Sequence, residues 1–237
     1  MRFAVITDIH GNLIALEAVL ADIARRGVDA TLSLGDFLSG AFDPVGTADR
    51  LIDLDLLSVR GNHDRFITDG RENDWAIDAL VRERLDARQH AWLAQVPTTT
   101  SLDGMVFLCH GTPGDDNTTW LDSVTRVGVE HRSREFIEAE AAGFDYPVLL
   151  CGHSHVPRTL RFGDGRLVVN PGSVGLPTGL GSTDARYAIV EELSSGWSAS
   201  LHAVPYDHAG AAAQARSFGF ENWAVAVSTG WSTPSDL

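Results

Sequence analysis

Side chains that can bind metal ions follow five short apolar runs of this sequence, and such runs are typical of buried strands. Five of the nine histidines lie at these places, beside carboxylate and amide groups. Imidazole nitrogen mixed with these oxygens suits Mn²⁺, Fe, Zn²⁺ or Co²⁺, whereas Ca²⁺ and Mg²⁺ prefer oxygen alone. We therefore predict a transition-metal site with seven ligands, which are Asp8, His10, Asp36, Asn62, His110, His153 and His155.

The size of this set predicts two ions rather than one, because one ion usually takes about four ligands. Two ions about 3.5–4 Å apart need a bridging group, and a carboxylate such as that of Asp36 can provide it. A pair of this kind generates hydroxide near neutral pH and clamps two phosphoryl oxygens for in-line attack. The predicted chemistry is the hydrolysis of a phosphoric ester, in which the stretch 61–64 supplies a ligand and the group that moves protons.

The first part of the chain predicts the elements that position these side chains. Strands are predicted at 2–7, 30–34 and 54–59, and helices at 13–26 and 45–53. Asn12 is the predicted N-cap of the first helix, and Gly27 ends it. This alternation predicts a parallel sheet with helices on its faces. Since ligands gather at the carboxyl ends of parallel strands, the loops that carry them are expected to converge on one crevice.

The rest of the chain predicts more strands than helices. Two helical pieces are predicted within 72–95 and one within 132–142, with a strand at 148–151 and hairpins at 98–109, 158–170 and 187–204. Residues 114–131 are polar and are predicted to form a loop. The later hairpins predict a second sheet packed on the first. Beyond Pro205 we expect one helix and an aromatic segment, which packs on the domain or forms a homo-oligomer contact.

Composition and charge narrow the class of protein. The 237 residues are 44% hydrophobic and 21% charged, as in a globular protein. We expect no membrane span, because no apolar run reaches about 18 residues, and no secretory leader, because a strand begins at residue 2. Cys109 and Cys151 lie in apolar runs, so buried free thiols and a cytoplasmic location are expected. A net charge of −14 opposes binding to duplex nucleic acid but not binding of a small anion at a metal site.

Several motifs, in order along residues 5–176, carry a resemblance to a known family. They resemble the calcineurin-like metallophosphoesterases, in particular the small bacterial phosphodiesterase-type members. The resemblance implies an α/β fold, a four-layer α/β/β/α sandwich, formed by a single domain over 1–237 with 206–237 as a helical and aromatic extension. The motifs are Asp8-Ile9-His10, Gly35-Asp36, Gly61-Asn62-His63-Asp64, Cys109-His110-Gly111-Thr112-Pro113, Gly152-His153-Ser154-His155 and the turn Asn170-Pro171-Gly172-Ser173-Val174-Gly175.

The resemblance also implies how the site residues divide their tasks. His63 would contact the phosphoryl group or protonate the leaving oxygen, and Asp64 would orient His63. Two divalent ions are implied, with Mn²⁺ first and Fe, Zn²⁺, Co²⁺ or Ni²⁺ as the other candidates. By the same resemblance, one ion would be held by Asp8, His10, Asp36 and His155, and the other by Asp36, Asn62, His110 and His153.

Three functions are consistent with these motifs. The first is a two-metal phosphodiesterase that hydrolyses a small phosphodiester or nucleotide-type substrate by attack of a metal-activated hydroxide. The second is a phosphoprotein Ser/Thr phosphatase, which shares the metal centre but needs a peptide groove. The third is a non-catalytic metal-binding scaffold, in which drift would erode the ligands, whereas here every ligand position is filled. We predict the first function.

Overall fold

Two five-stranded sheets lie face to face in the computed structural model, which describes residues 1–70, 75–125, 128–177 and 181–231. From edge to edge, the strands of the first sheet are β12 (Gly196–Val204), β11 (Ala185–Leu193), β1 (Arg2–Ile6), β2 (Ala30–Ser33) and β3 (Leu57–Ser58). Those of the second sheet are β4 (Thr100–Leu102), β5 (Val106–Leu108), β8 (Val148–Leu150), β10 (Leu167–Asn170) and β9 (Arg158–Arg161). The strands run parallel from β1 to β3 and from β5 through β8 to β10, and the other neighbours pair antiparallel.

Helices cover both outer faces of this pair of sheets. Within the described ranges they are α1 (Leu13–Arg26), α2 (Pro44–Leu54), α3 (Asn62–Asp69), α4 (Ala76–Arg84), α5 (Ala87–Gln95), α6 (Arg134–Glu140), α7 (His208–Ser217) and α8 (Glu221–Thr229). Two short strands, β6 (Asp122–Thr125) and β7 (Gly128–His131), pair with each other outside the two sheets. The predicted N-cap of α1 is confirmed, because the Asn12 side chain accepts a hydrogen bond from the backbone of Ala15.

The alternation of side chains along β1 separates two of the hydrophobic cores. Phe3 and Val5 point into the core between the sheets, while Ala4 and Ile6 point into the core beneath the helices. On the second sheet, Val106 faces the first sheet across the middle core. The first sheet is therefore buried on both faces.

A third core lies on the outer face of the second sheet. It contains Phe107 and Leu149 from the sheet, packed with Ile137 of α6 and with Trp120. Three cores between four layers make the fold an α/β/β/α sandwich, as predicted. The carboxyl ends of β1, β2, β5 and β8 reach the same edge of the sandwich, where the predicted ligands lie.

The hairpin predicted at 187–204 does not belong to the second sheet. β11 pairs antiparallel with β1, with Val5 opposite Ala188, and so extends the first sheet. Tyr187 and Ile189 join the helix-side core while Ala188 and Val190 join the core between the sheets. A strand that is apolar on both faces fits a central position beside β1. The alternation of its residues alone could not show which of the two sheets it joins.

Three other boundaries also differ from the prediction. The segment 114–131 was expected to be a loop but contains β6 and β7, whose polar side chains give little strand signal. α2 extends to Leu54, so β3 is only two residues long. The described part of the tail has two helices rather than one. Of the helical stretch expected at 72–95, residues 72–74 lie outside the described residues, and α4 and α5 account for the rest.

Each helix in the described ranges is too short or too polar to cross a bilayer.

Candidate metal centre

The predicted ligands come together at the shared edge of the sandwich. Six of them form two groups, and within each group the ligand atoms lie within 4.8 Å of one another. The first group is Asp8, His10 and His155, and the second is Asp36, His110 and His153. The seventh, Asn62, is the first residue of α3 and is 3% exposed. The two groups have the members that the resemblance assigns to the two ions, except that Asp36 falls only in the second group and Asn62 in neither, and metal binding by these residues stays a prediction.

Asp36 lies between the two groups. Its Oδ2 is 3.2 Å from Nε2 of His110 in the second group and 3.9 Å from Nε2 of His10 in the first. Its Oδ1 accepts the backbone N–H of His63 at 3.0 Å. The backbone therefore holds one oxygen of the carboxylate and leaves the other oriented towards both groups.

Backbone carbonyls determine which nitrogen of each histidine can bind a cation. A carbonyl only accepts hydrogen bonds, so the facing nitrogen carries the proton and the other nitrogen of a neutral ring keeps its lone pair. For His153 the facing nitrogen is Nε2, 3.0 Å from the oxygen of Asn117, which leaves Nδ1 for a cation. For three others it is Nδ1, at 2.6, 2.7 and 2.6 Å in the pairs His10 with Ser39, His110 with Leu34 and His155 with Leu176.

Two buried oxygens of these side chains have unmet bonding capacity that a cation would satisfy. Among the described residues, Oδ1 of Asp8 and Oδ1 of Asn62 have no hydrogen-bond partner, although buried polar atoms nearly always have one. Nε2 of His10 and Nε2 of His155 lie 3.1 Å apart. With both protons on Nδ1, the two lone pairs would face and repel each other unless a cation lies between them. The donor set therefore fits divalent metal ions.

The backbone at the ligands adopts a conformation that non-glycine residues seldom take. The φ angles of five ligands lie between 50° and 65°, in the left-handed region. Such conformations persist where surrounding structure enforces them, and they cluster at functional sites. The five ligands are Asp8, His10, Asp36, His153 and His155, and the other such non-glycine residues in the described ranges are Asp55 and Asp103.

Glycine is required at position 61 by close packing rather than by a sharp turn of the backbone. Its φ of −93° is open to any residue. A Cβ at this position, however, would lie only 2.2 Å from Oδ1 of Asp36. Glycine thus allows the backbone that carries Asn62 and His63 to pack against the carboxylate between the two groups.

Burial and neighbouring charges shift the pKa values of the ligands. Burial is the main cause that lowers the pKa of His10 and of His153 to about 4, so both rings are neutral at pH 7. Burial would raise the pKa of Asp36, but the neighbouring histidines, His110 first, hold it well below its usual value. Burial would lower the pKa of His110, but Asp36 raises it to about 10, so a cation there displaces a proton.

The prediction that Asp64 orients His63 is wrong. Asp64 is fully buried, and its two oxygens accept backbone N–H bonds from Asp36, Phe37 and Gly61 at 2.8, 3.0 and 2.9 Å. Asp64 therefore joins the loop after β2 to the start of α3. The carboxylate beside His63 is that of Asp78, whose oxygens lie 3.1 and 3.2 Å from Nδ1 of His63.

Sequence reasoning missed Asp78 because it lies in α4, 15 residues from His63 and outside every motif. It also missed the pairing of Arg65 with Asp116, two hydrogen bonds of 2.7 Å that join α3 to the loop after His110. The sequence carries no signal for either contact, because packing between distant segments creates both of them.

Comparison with known proteins agrees with this geometry. The family model described as the calcineurin-like phosphoesterase superfamily domain matches residues 1–194. An uncharacterized protein of Methanocaldococcus jannaschii is 30% identical, and the match covers 80% of this chain and 82% of that protein. The crystal structure of a metallophosphoesterase from Sphaerobacter thermophilus is 29% identical with a TM-score of 0.77, covering 97% of this chain and 99% of the other. The chain therefore belongs to the calcineurin-like phosphoesterase superfamily and is a metal-dependent hydrolase of phosphoric esters.

Proposed function

We propose that this enzyme is a two-metal phosphodiesterase that hydrolyses a small phosphodiester or nucleotide-type substrate. The observation that carries the proposal is the position of Asp36, whose Oδ2 lies 3.9 Å from Nε2 of His10 and 3.2 Å from Nε2 of His110. A carboxylate between two groups of ligands is what a bridged pair of ions requires.

The two groups of side chains would each hold one divalent ion, with Asp36 shared. When bound, the ions would activate a water molecule and stabilise negative charge on the phosphoryl oxygens. Nitrogen and oxygen donors favour Mn²⁺, with Fe, Zn²⁺, Co²⁺ and Ni²⁺ as the other candidates. The two ligand sets are Asp8, His10, Asp36 and His155 for one ion, and Asp36, Asn62, His110 and His153 for the other.

The charge of the ligand set suits an anionic substrate. Asp8 and Asp36 are the two carboxylates of the set, and Asn62 contributes a neutral oxygen. Two divalent ions would therefore leave the centre positive, although the chain as a whole has a net charge of −14. This local charge supports binding of a phosphodiester at the centre.

In this proposal His63 acts on the substrate. Nδ1 faces Asp78, so Nε2 is the nitrogen available to a phosphoryl or leaving oxygen. Burial would lower the pKa of His63, but the charge of Asp36 and the hydrogen bond with Asp78 outweigh it and raise the pKa above its usual value. A raised pKa favours the protonated ring, which can give a proton to the leaving oxygen.

The surroundings of His63 support a substrate with a planar apolar part. The half-buried rings of Phe66 and Trp75 contact the imidazole edge-on, with centroids 5.7 and 5.2 Å away. A leaving group that receives its proton from His63 would lie near these rings. Nucleosides and aryl groups have the flat apolar surface that such rings favour.

The proposal is tested with protein loaded with Mn²⁺ and bis(p-nitrophenyl) phosphate as the substrate. We expect His63→Ala to lose about 100-fold in rate while the bound Mn²⁺, measured by elemental analysis, is unchanged. Asp36→Asn is expected to lose bound metal and activity together. His131→Ala is the control, because that side chain is 73% exposed and belongs to β7.

Two results would argue against the proposal. Faster turnover of phosphoserine peptides than of the diester would identify a phosphoprotein phosphatase. Failure to retain any transition metal after loading would identify a scaffold without catalytic function.

A further inference from the structure

A buried carboxylate that is not a predicted metal ligand faces the histidine assigned to the substrate. Asp78 lies in the first turn of α4, is fully buried, and has both oxygens within 3.2 Å of Nδ1 of His63. We propose that Asp78 positions His63 for proton transfer and that Ser39 holds Asp78 in place. This inference rests on the proposed function in taking His63 as the group that meets the substrate.

Ser39 connects this pair to the metal centre. Its Oγ donates a hydrogen bond to Oδ1 of Asp78 and lies 3.3 Å from Nδ1 of His63. Its carbonyl oxygen is 2.6 Å from Nδ1 of the predicted ligand His10. The next residue, Gly40, packs against the loop that carries His10 so closely that a Cβ at Gly40 would lie 1.7 Å from the carbonyl oxygen of His10. Ser39 is therefore anchored on the loop after β1, which carries Asp8 and His10 of the first group.

The helix-stabilising role of Asp78 does not require its burial. An acidic residue in the first turn of a helix stabilises the helix, but it can do so while it remains exposed to solvent. Full burial of a carboxylate is unfavourable unless the group is paired and hydrogen-bonded. Here both oxygens face one imidazole nitrogen and one of them also accepts from Ser39, which is the arrangement that orients a ring.

The chemical consequence concerns the direction of proton transfer. A carboxylate that accepts Nδ1–H holds the ring in one orientation and leaves Nε2 for the substrate. The oxygen of the attacking hydroxide bonds to phosphorus as the bond from phosphorus to the leaving oxygen breaks, and the proton passes from Nε2 of His63 to that leaving oxygen. Nε2 takes a proton from water before the next turnover, and Asp78 stabilises the protonated ring through its contacts with Nδ1.

The direct test is two-bond ¹H–¹⁵N NMR of the histidine rings in metal-free protein, with His63 assigned from its absence in His63→Ala. The measurement is made above the pKa of the ring, where it carries one proton. The proton is expected on Nδ1 in the wild type and on Nε2 in Asp78→Asn, because an asparagine amide can donate to Nδ1. Asp53→Asn is the control, since that carboxylate is 72% exposed, and it should leave the His63 pattern unchanged.

A kinetic test uses aryl diesters whose leaving phenols differ in pKa. We expect Asp78→Asn to slow kcat about 10- to 100-fold for poor leaving groups, with much smaller losses for good ones and little change in KM. Ser39→Ala should act in the same direction by about 3- to 10-fold, since the hydrogen bond that steadies the Asp78 carboxylate is lost while the carboxylate itself remains. The double variant should resemble Asp78→Asn alone, because both residues act through the same ring.

The proposal is overturned if Asp78→Asn keeps the proton on Nδ1 and the wild-type dependence on the leaving group. Circular dichroism checks the folding of each variant. If Asp78→Asn does not fold, Ser39→Ala decides the question, and a wild-type leaving-group dependence in that variant would overturn the proposal. If the wild type hydrolyses none of the diesters, the proposed function fails, while the NMR of the metal-free protein still tests whether Asp78 sets the tautomer of His63.

Discussion

Gly61 is the residue whose replacement most directly tests how closely the site is packed. A methyl group at this position would lie 2.2 Å from Oδ1 of Asp36, so the carboxylate or the start of α3 has to shift. We expect Gly61→Ala to weaken Mn²⁺ binding at least about 10-fold, or about 1.4 kcal/mol. Isothermal titration calorimetry of the metal-free protein measures this change.

The matched control is Gly163→Ala. A Cβ at Gly163 meets no atom within 4 Å, and its φ lies outside the left-handed region. Mn²⁺ affinity should therefore remain that of the wild type. An equal loss of affinity in both variants would mean that the contact with Asp36 is not the cause.

Among individual residues, the candidate ligands could be predicted from the sequence, but the carboxylate partner of His63 could not. Asp8 and Asp36 each lie two or three residues beyond the end of a parallel strand, so sheet topology brings them to one edge. Asp64 adjoins His63 in sequence, yet its oxygens are occupied by backbone N–H groups. Asp78 reaches His63 only because α4 packs against α3, and single-sequence patterns carry no information on that packing.

Between elements, Asp22 ties α1 to β11. Its carboxylate accepts the hydroxyl of Tyr187 at 2.6 Å and also contacts Arg25 and Arg26 in its own helix. The Tyr187 hydrogen bond, followed by that of Arg26, lowers the pKa of Asp22 from 3.8 to about 2. A carboxylate with a lowered pKa stabilises the fold above its unfolded pKa, and this contribution disappears as the pH falls through the folded pKa.

We therefore expect Asp22→Asn to reduce the free energy of unfolding at pH 7 by about 1 kcal/mol, discounted for solvent screening. The difference from the wild type should persist down to about pH 4 and then shrink towards pH 2, where Asp22 itself becomes protonated. Urea unfolding at a series of pH values measures it. A difference that stays constant across this range would contradict the assignment.

The elements themselves differed in how well their sequences defined them. α1 was predictable because its cap Asn12 and its terminal Gly27 both act locally. β11 was placed in the wrong sheet, since the choice of neighbour depends on long-range pairing with β1. β6 and β7 were missed because an exposed pair of strands does not need the apolar alternation that identifies buried ones.

For the molecule as a whole, the two C-terminal helices complete the core beneath the first sheet. Trp223 of α8 is 2% exposed and lies beside Phe42 and His10, with ring centroids 5.8 and 6.1 Å away. We expect Trp223→Ala to lower the free energy of unfolding by about 3–5 kcal/mol, because it empties a large buried volume. Urea denaturation followed by circular dichroism measures the loss.

Trp231→Ala is the control for this prediction, because that side chain is 66% exposed. A change of less than about 0.5 kcal/mol is expected. Comparable losses of unfolding free energy in the two variants would mean that the burial of Trp223 is not the cause of the loss. The homo-oligomer contact expected through the aromatic tail stays a prediction, and the exposed Trp231 and Val225 are the side chains it would use.

The left-handed backbone at the ligands bears on how this chain can evolve. A non-glycine residue in the left-handed region destabilises the folded chain by about 1–2 kcal/mol relative to one in an ordinary conformation. Replacing His155 or Asp36 by glycine would relieve this strain and abolish a ligand in a single step. Loss of hydrolysis would then coincide with a gain in folding stability. Without selection for hydrolysis, such substitutions would accumulate and give an inactive protein with the same fold. Selection for catalysis is therefore what retains these ligands.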